Sequence, residues 1–154
     1  MSLTQTEADY LLRLDKRFID SAPIELSQVM GMDFIRELLS LDRKEKFLLD
    51  VRRGRRQKAY LRYQTRARQC IILARLDIDG PRHKNPSSET DPEGRWLSGT
   101  HLHIYREGYE ARTAFELDAV TGFTFTRPLE LTKTFCEFLD FCHVVDRPPV
   151  QLVI

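Results

Sequence analysis

The fold is decided by residues 34–78, which read FIRELLSLDRKEKFLLDVRRGRRQKAYLRYQTRARQCIILARLDI. Four segments of this stretch are rich in apolar, aromatic and β-branched residues, a composition typical of β-strands. These segments are 34–41, 47–51, 59–63 and 70–78. The polar connectors Asp42-Arg43-Lys44 and Arg53-Gly54-Arg55 indicate hairpin turns between successive strands. The sequence therefore predicts an antiparallel meander.

Helices are predicted near both ends of the chain. Thr4 and Glu7 form the T-x-x-E pattern of a capping box, and an apolar stripe continues to Ile19, with Pro23 at or just after the helix end. A second helix is predicted over 128–142, where apolar residues line one face. Further strands are predicted at 101–105, 112–117 and 150–154, the last able to close the sheet. We expect an α+β fold with a curved antiparallel sheet of six or seven strands and an N-terminal and a C-terminal helix.

Length and composition exclude several classes of protein. The 154 residues are 42% hydrophobic and 31% charged, which predicts a single globular domain, 1–154, with one long loop at 80–99. Three cysteines without C-x-x-C spacing argue against a disulfide or zinc scaffold. No apolar run approaches the ~20 residues that cross a bilayer, and no signal peptide is evident. We therefore expect a cytoplasmic protein without a membrane partner.

Charge is strongly segregated along the chain. Residues 52–75 hold nine positive side chains and no carboxylate. Arginine suits phosphate, and tyrosines between arginines can stack single-stranded bases. The predicted nucleic-acid-binding residues are Arg52, Arg53, Arg55, Arg56, Lys58, Arg62, Arg66, Arg68, Tyr60 and Tyr63. In the alternative interpretation, these strands simply pair with acidic neighbours such as those in 107–146.

Three histidines and two aspartates form the candidate catalytic group. Residues two apart in a strand project from the same side. This places His101 and His103 on one side of their strand, and Asp77 and Asp79 on one side of the strand at 70–78. If strands 70–78 and 101–105 pair, the loop that carries His83 lies beside all four.

Two chemistries suit this group. Two histidines can act as acid and base to cleave RNA through its 2′-hydroxyl. Alternatively, the H-x-H pair and a third His or an Asp can hold a metal ion. The structural alternative is that His101 and His103 are strand residues hydrogen-bonded to the aspartates.

Four stretches resemble a known group of proteins: residues 8–18, 43–55, 75–86 and 101–109. They resemble a family of small uncharacterised bacterial and prophage proteins with a D-x-x-G-P-x-H-x-N-P segment followed by H-L-H-x-Y-R-E-G. The resemblance implies a compact protein carried by a mobile element, without an activity to transfer. It marks signature positions at Asp77, His83, Asn85, His101, His103, Arg106 and Glu107.

The leading functional hypothesis is a small mobile-element protein that acts on RNA. We expect metal-independent, ribonuclease-like cleavage at His83, His101, His103, Asp77 and Asp79, without a cofactor. One alternative is a non-enzymatic module that binds a host or partner protein, and a second is a metal-dependent hydrolase.

Overall fold

The computed structural model describes residues 2–29, 31–57 and 59–153. The helices are α1, Gln5–Arg13, and α2, Leu131–Phe141, with a 3₁₀ turn at Leu117–Ala119. The strands are β1 Lys16–Phe18, β2 Ile24–Ser27, β3 Met32–Ser40, β4 Lys46–Arg53, β5 Leu61–Ala67, β6 Ile71–Ile78, β7 His83–Lys84, β8 Trp96–Leu97, β9 His101–Ile104, β10 Ala114–Phe115, β11 Val144–Asp146 and β12 Val150–Val153.

The main sheet has eight strands in the order β10-β9-β6-β5-β4-β3-β1-β11. Its pairs are antiparallel except β1 with β11, so the sheet is mixed. The predicted α+β fold with a curved sheet and two terminal helices is confirmed, although one strand more than the expected maximum is present. Within the described ranges, no helix has the length and apolar character needed to span a membrane.

Helix α1 is shorter than the periodicity of the sequence predicts. The capping box of Thr4 and Glu7 is present as expected, but the helix ends at Arg13. Lys16 then enters β1, where its buried Nζ donates hydrogen bonds to the carbonyls of Leu12 and Leu14 in the last turn. Phe18 is buried in this strand, so its apolar spacing reflects a sheet partner and not a helix face.

The C-terminal segment does not close the main sheet. β12 pairs in parallel with β2, and these two strands form a separate small sheet. Helix α2 begins at Leu131, three residues after the predicted start. Its Phe135 and Phe138 are fully buried and pack on the Tyr63 ring of β5, at centroid distances of 5.2 and 6.0 Å.

Strand β5 shows how the sheet acquires two different faces. Leu61, Tyr63 and Thr65 are buried toward α2, whereas the alternate residues Arg62 and Gln64 are partly exposed. This alternation is the one that the sequence predicts. Since paired residues in adjacent strands project to the same side, one face of β4, β5, β6 and β9 is polar.

Candidate active site and arginine cavity

Two rows of polar residues cross the polar face of the sheet. Arg62 of β5 is paired with Asp77 of β6, and Asp77 with His101 of β9. In the next row, Arg75 of β6 is paired with His103 of β9. The predicted pairing of these two strands is confirmed, and it brings the H-x-H motif against Asp77.

Asp77 is the centre of this arrangement. The residue is only 2% exposed, and its carboxylate accepts hydrogen bonds from Arg75 Nε and Nη2 at 3.1 and 3.2 Å. Arg62 Nε lies 3.5 Å away, and the Tyr60 hydroxyl donates to Oδ2 at 3.3 Å. Burial alone raises the pKa of Asp77, but contact with His101 and the charges of Arg75 and Arg62 outweigh it and hold the pKa below its usual value. Asp77 is therefore an ionised carboxylate at neutral pH.

Each histidine of the cluster uses one ring nitrogen to bond a backbone carbonyl. The pairs are His83 Nε2 with Arg112 O at 2.8 Å, His101 Nδ1 with Ser98 O at 2.6 Å, and His103 Nδ1 with Ala111 O at 2.8 Å. A carbonyl oxygen only accepts, so the ring nitrogen carries the proton in every case. The hydrogen bonds thus assign the tautomers, and in the neutral rings the lone pairs lie on His83 Nδ1, His101 Nε2 and His103 Nε2.

The three rings lie against one another beside Asp77. Their centroids are 4.6 to 5.4 Å apart, and one ring nitrogen from each lies within 4.8 Å of the other two. His101 Nε2 is buried 3.4 Å from Asp77 Oδ2 and makes no hydrogen bond of standard geometry to the residues that the structure describes. His103 Nε2 accepts from Arg75 Nη2 at 3.0 Å. Burial and the Arg75 charge lower the pKa of His103 to about 3, so this ring stays neutral.

The loop at 80–99 covers the cluster. His101 and His103 are each 1% exposed, and the ring of His83, which is carried by the loop, packs on both. The base of the loop is tight because a Cβ on Gly99 would overlap the Gly80 carbonyl oxygen. The rings are therefore held in a polar enclosure under the β7–β8 hairpin and are not on an open surface.

Asp79 lies apart from this cluster, contrary to the face-sharing rule. Strand β6 ends at Ile78, and Asp79 has a positive φ of 54°. Its side chain is exposed, and the residue lines a different cavity near the start of α2, together with Arg127 and Glu130. The strand alternation on which the prediction rests has already stopped at this residue.

An arginine-lined cavity adjoins the cluster. It has a volume of about 570 Å³. Its side chains come from the end of β4, the following turn and the start of β5: Arg52, Arg55, Arg56, Gln57, Tyr60 and Arg62. None of the described residues that line it is acidic. Tyr60 and Arg62 belong to both the cavity and the Asp77 network, so the two features are continuous.

Four of the predicted nucleic-acid-binding residues are engaged elsewhere. Tyr63 is fully buried against α2 and cannot stack a base. Arg53 is 7% exposed, and its Nε donates to Ser27 O at 3.0 Å. Arg66 forms a bidentate pair with Asp50 at 2.7 and 2.8 Å. The fourth is Arg68, which lies 3.5 Å from Glu45 and 3.8 Å from Glu7. The remaining candidate, Lys58, lies outside the described residues.

The alternative interpretation of the basic segment therefore holds for four of its arginines, because Asp77 also pairs with Arg62 and Arg75. The carboxylates that neutralise Arg66 and Arg68 lie outside 52–75, in β4, before β4 and in α1. Arg52, Arg55 and Arg56 are exposed and form the part of the segment that faces the cavity.

Arg75 is the site residue that sequence reasoning missed. It belongs to residues 52–75 and not to the predicted catalytic group, although it stands two residues before Asp77 and so shares its face. The carbonyls that orient the histidines belong to Ser98, Ala111 and Arg112, and no side-chain pattern marks them.

The fold and the site define an α+β protein with a polar cluster on one sheet face, enclosed by a loop. The chain belongs to a family of unknown function, DUF6978, whose family model matches residues 3–144. That range includes the whole cluster and cavity. No curated protein and no solved structure gives a significant match. The resemblance to an uncharacterised family is thus confirmed at this level, whereas the signature motif and the bacterial or prophage origin stay predictions.

Proposed function

We propose that this protein binds single-stranded RNA in the arginine cavity and cleaves it at the adjoining histidine cluster. The observation that carries the proposal is the continuity of the two features. Arg62 Nη2 donates to the Tyr60 hydroxyl at 2.6 Å, and both residues contact Asp77, which lies among the histidines. A strand held by the cavity would therefore have its backbone next to the cluster.

The cavity has the chemistry that an RNA backbone requires. Guanidiniums bind phosphate oxygens through charge-assisted hydrogen bonds, and Tyr60 offers an aromatic surface at the cavity wall. If the four arginines each meet one phosphate, the log–log salt slope is about −2.8 for a single strand. This slope corresponds to roughly a fiftyfold loss of affinity between about 50 and 200 mM salt.

The cluster limits which histidines can transfer protons. Cleavage through the 2′-hydroxyl needs a base to remove its proton and an acid to protonate the leaving 5′-oxygen. With its pKa near 3, His103 cannot be the acid. His83, which is half-buried, and His101, which contacts Asp77, remain for the two roles. RNA reaches His101 only when the loop at 80–99 moves aside, since this ring is 1% exposed.

The binding half is tested by fluorescence anisotropy with a short labelled single-stranded RNA at several salt concentrations. Arg55→Ala should weaken binding and make the salt slope shallower by about 0.7, the loss of one phosphate contact. Arg13→Ala removes an exposed arginine in the last turn of α1, outside the cavity, and is the matched control. A salt slope near zero, or equal losses in both variants, contradicts RNA binding at the cavity.

The cleavage half is tested on the same RNA with gel-resolved products. His101→Ala should abolish cleavage and leave binding unchanged. His143→Ala is the control, because His143 lies 3.6 Å from Asp15 at the other end of the sheet and is not part of the cluster. Cleavage by His101→Ala at the rate of the parent, or loss of cleavage in the control, rules out the assignment.

The cellular setting is part of the same proposal. The D-x-x-G-P-x-H-x-N-P and H-L-H-x-Y-R-E-G segments support an origin in a bacterial or prophage genome, and we expect the protein to act in the cytoplasm. An RNA-directed activity is compatible with that origin.

A further inference from the structure

We propose that His83, His101 and His103 form a binding site for one transition-metal ion of the zinc type. The first observation is convergence: one ring nitrogen from each residue lies within 4.8 Å of the other two. Three imidazoles suit zinc, copper, nickel and iron, and three protein ligands leave one position open for water.

The second observation is the orientation of the rings, which is independent of their spacing. Metal-binding histidines usually donate their other ring N–H to a carbonyl or carboxylate, which fixes the tautomer and directs the lone pair to the ion. All three rings donate to a backbone carbonyl at 2.6 to 2.8 Å. In His101 the other nitrogen is buried, lies 3.4 Å from Asp77 Oδ2 and makes no hydrogen bond of standard geometry among the described residues, which leaves it able to bind a metal ion.

The distances require only a modest contraction. Ligands at the usual Zn–N distance of about 2.0–2.1 Å in a tetrahedron lie about 3.3 Å from one another. The present upper bound of 4.8 Å exceeds this by about 1.5 Å. His83 lies on the loop and the other two on β9, so closing the triangle requires an inward shift of the loop together with side-chain rotation of His101 and His103.

The charges at the site are compatible with a bound cation, although the Arg75 guanidinium competes with it for His103. Asp77 Oδ2 lies 3.4 Å from His101 Nε2 and 3.9 Å from His103 Nε2, so an anion is already next to the rings. Arg75 Nη2 donates a hydrogen bond to His103 Nε2 at 3.0 Å, and this bond must break when His103 binds the ion. Nη2 also donates to Asp77 Oδ2 at 3.2 Å, so its displacement would leave the Nε bond to Asp77 Oδ1 at 3.1 Å as the contact between Arg75 and this carboxylate. Arg75 is thus a competing cation whose removal should tighten metal binding.

The site deepens the proposed function and rests on it, because a water bound to the metal ion would remove the proton of the 2′-hydroxyl in place of an imidazole whose lone pair holds the ion. Binding of the ion itself does not depend on RNA as the substrate. Metal binding is measured without RNA, and RNA binding is measured in the presence of a chelator, so the two proposals can fail separately.

The experiment is a titration of the full chain with Co²⁺ alone, followed by the visible bands of tetrahedral cobalt, and with Zn²⁺ alone by calorimetry. The parent should bind one ion per chain with nitrogen-dominated bands. Loss of a group that only orients a ligand costs about 10–100-fold in metal affinity, so His83→Gln, which removes a ligand, should weaken binding about a hundredfold or more. His143→Gln should have no effect. In contrast, Arg75→Met should bind more tightly than the parent.

Stability provides a readout for variants that fold poorly. Saturating Zn²⁺ should raise the melting temperature of the parent and of His143→Gln, and not that of His83→Gln. Absence of Co²⁺ and Zn²⁺ binding at micromolar concentrations overturns the site. Equal affinity of the parent and His83→Gln does so as well, because any bound ion would then be elsewhere.

Discussion

Replacement of Asp77 by asparagine tests whether this carboxylate holds the polar network together. Asp77→Asn keeps the shape of the side chain and removes its charge, which leaves the guanidiniums of Arg62 and Arg75 without their counter-ion. Loss of one partner from a buried ion pair costs about 3–5 kcal/mol. The two arginine side chains are 31% and 22% exposed, so water screens them in part and we expect about 3 kcal/mol.

This loss is measurable by urea and thermal unfolding followed by circular dichroism. For a chain of about this length, each kcal/mol corresponds to about 2–4 °C, so the melting temperature should fall by about 6–12 °C. Asp79→Asn changes the same functional group two residues away at an exposed position, and should remain within about 0.5 kcal/mol. A loss below about 1 kcal/mol for Asp77→Asn, or a similar loss in the control, would refute the reasoning.

The same variant gives a pH dependence with a defined sign. Since the pKa of Asp77 is lower in the folded chain than its usual value, its stabilisation is complete above that usual value, near pH 4. It is lost as the pH falls through the folded pKa. The difference in unfolding free energy between parent and Asp77→Asn should therefore be largest at neutral pH and shrink on acidification.

Three other substitutions test the remaining assignments. Burial lowers the pKa of Lys16 to about 8. As the pH rises from about 8 to 10.5, the free energy of unfolding of the parent should therefore increase relative to that of Lys16→Met, by up to about 3 kcal/mol as measured in urea titrations. Tyr63→Ala should cost about 3–5 kcal/mol and Tyr63→Phe less than about 1, with RNA affinity unchanged in Tyr63→Phe, because the ring packs in the core. Gly99→Ala should destabilise the chain by about 1–3 kcal/mol and increase hydrogen exchange in the loop, because its Cβ would meet the Gly80 backbone.

The sequence predicts the main part of the fold because the two periodicities are clear there. In β5 the alternation of Leu61, Arg62 and Tyr63 indicates one buried face and one face toward solvent, and the structure has both. At the N-terminus the capping box gives the start of α1. The end of α1 is different, because Lys16 and Phe18 form a strand whose apolar pattern continues the helical spacing by coincidence. Only pairing with β3 and β11 distinguishes the two, and this pairing is not local in sequence.

The histidine cluster could be predicted to a large extent because it depends on strand geometry. H-x-H places His101 and His103 on one face, and pairing of neighbouring segments brings Asp77 to them. The ion-pair partners of the arginines could not be predicted in the same way. Arg66 and Arg68 form ion pairs with carboxylates outside residues 52–75. The absence of acidic residues within that range does not reveal these partners.

What no sequence pattern shows is which nitrogen of each ring is free, and this property decides the chemistry. Backbone carbonyls accept hydrogen bonds from Nδ1 of His101 and His103 and from Nε2 of His83, so the path of the main chain selects which ring nitrogens are left to bind a metal ion. His101 Nε2 already lies 3.4 Å from Asp77 Oδ2, so a movement of the loop that took the Ser98 carbonyl away would leave the ring with its contact to Asp77. The carbonyl contacts thus fix which ring nitrogens of the cluster can bind a metal ion. They explain why the loop at 80–99 is as much a part of the site as the strand beneath it.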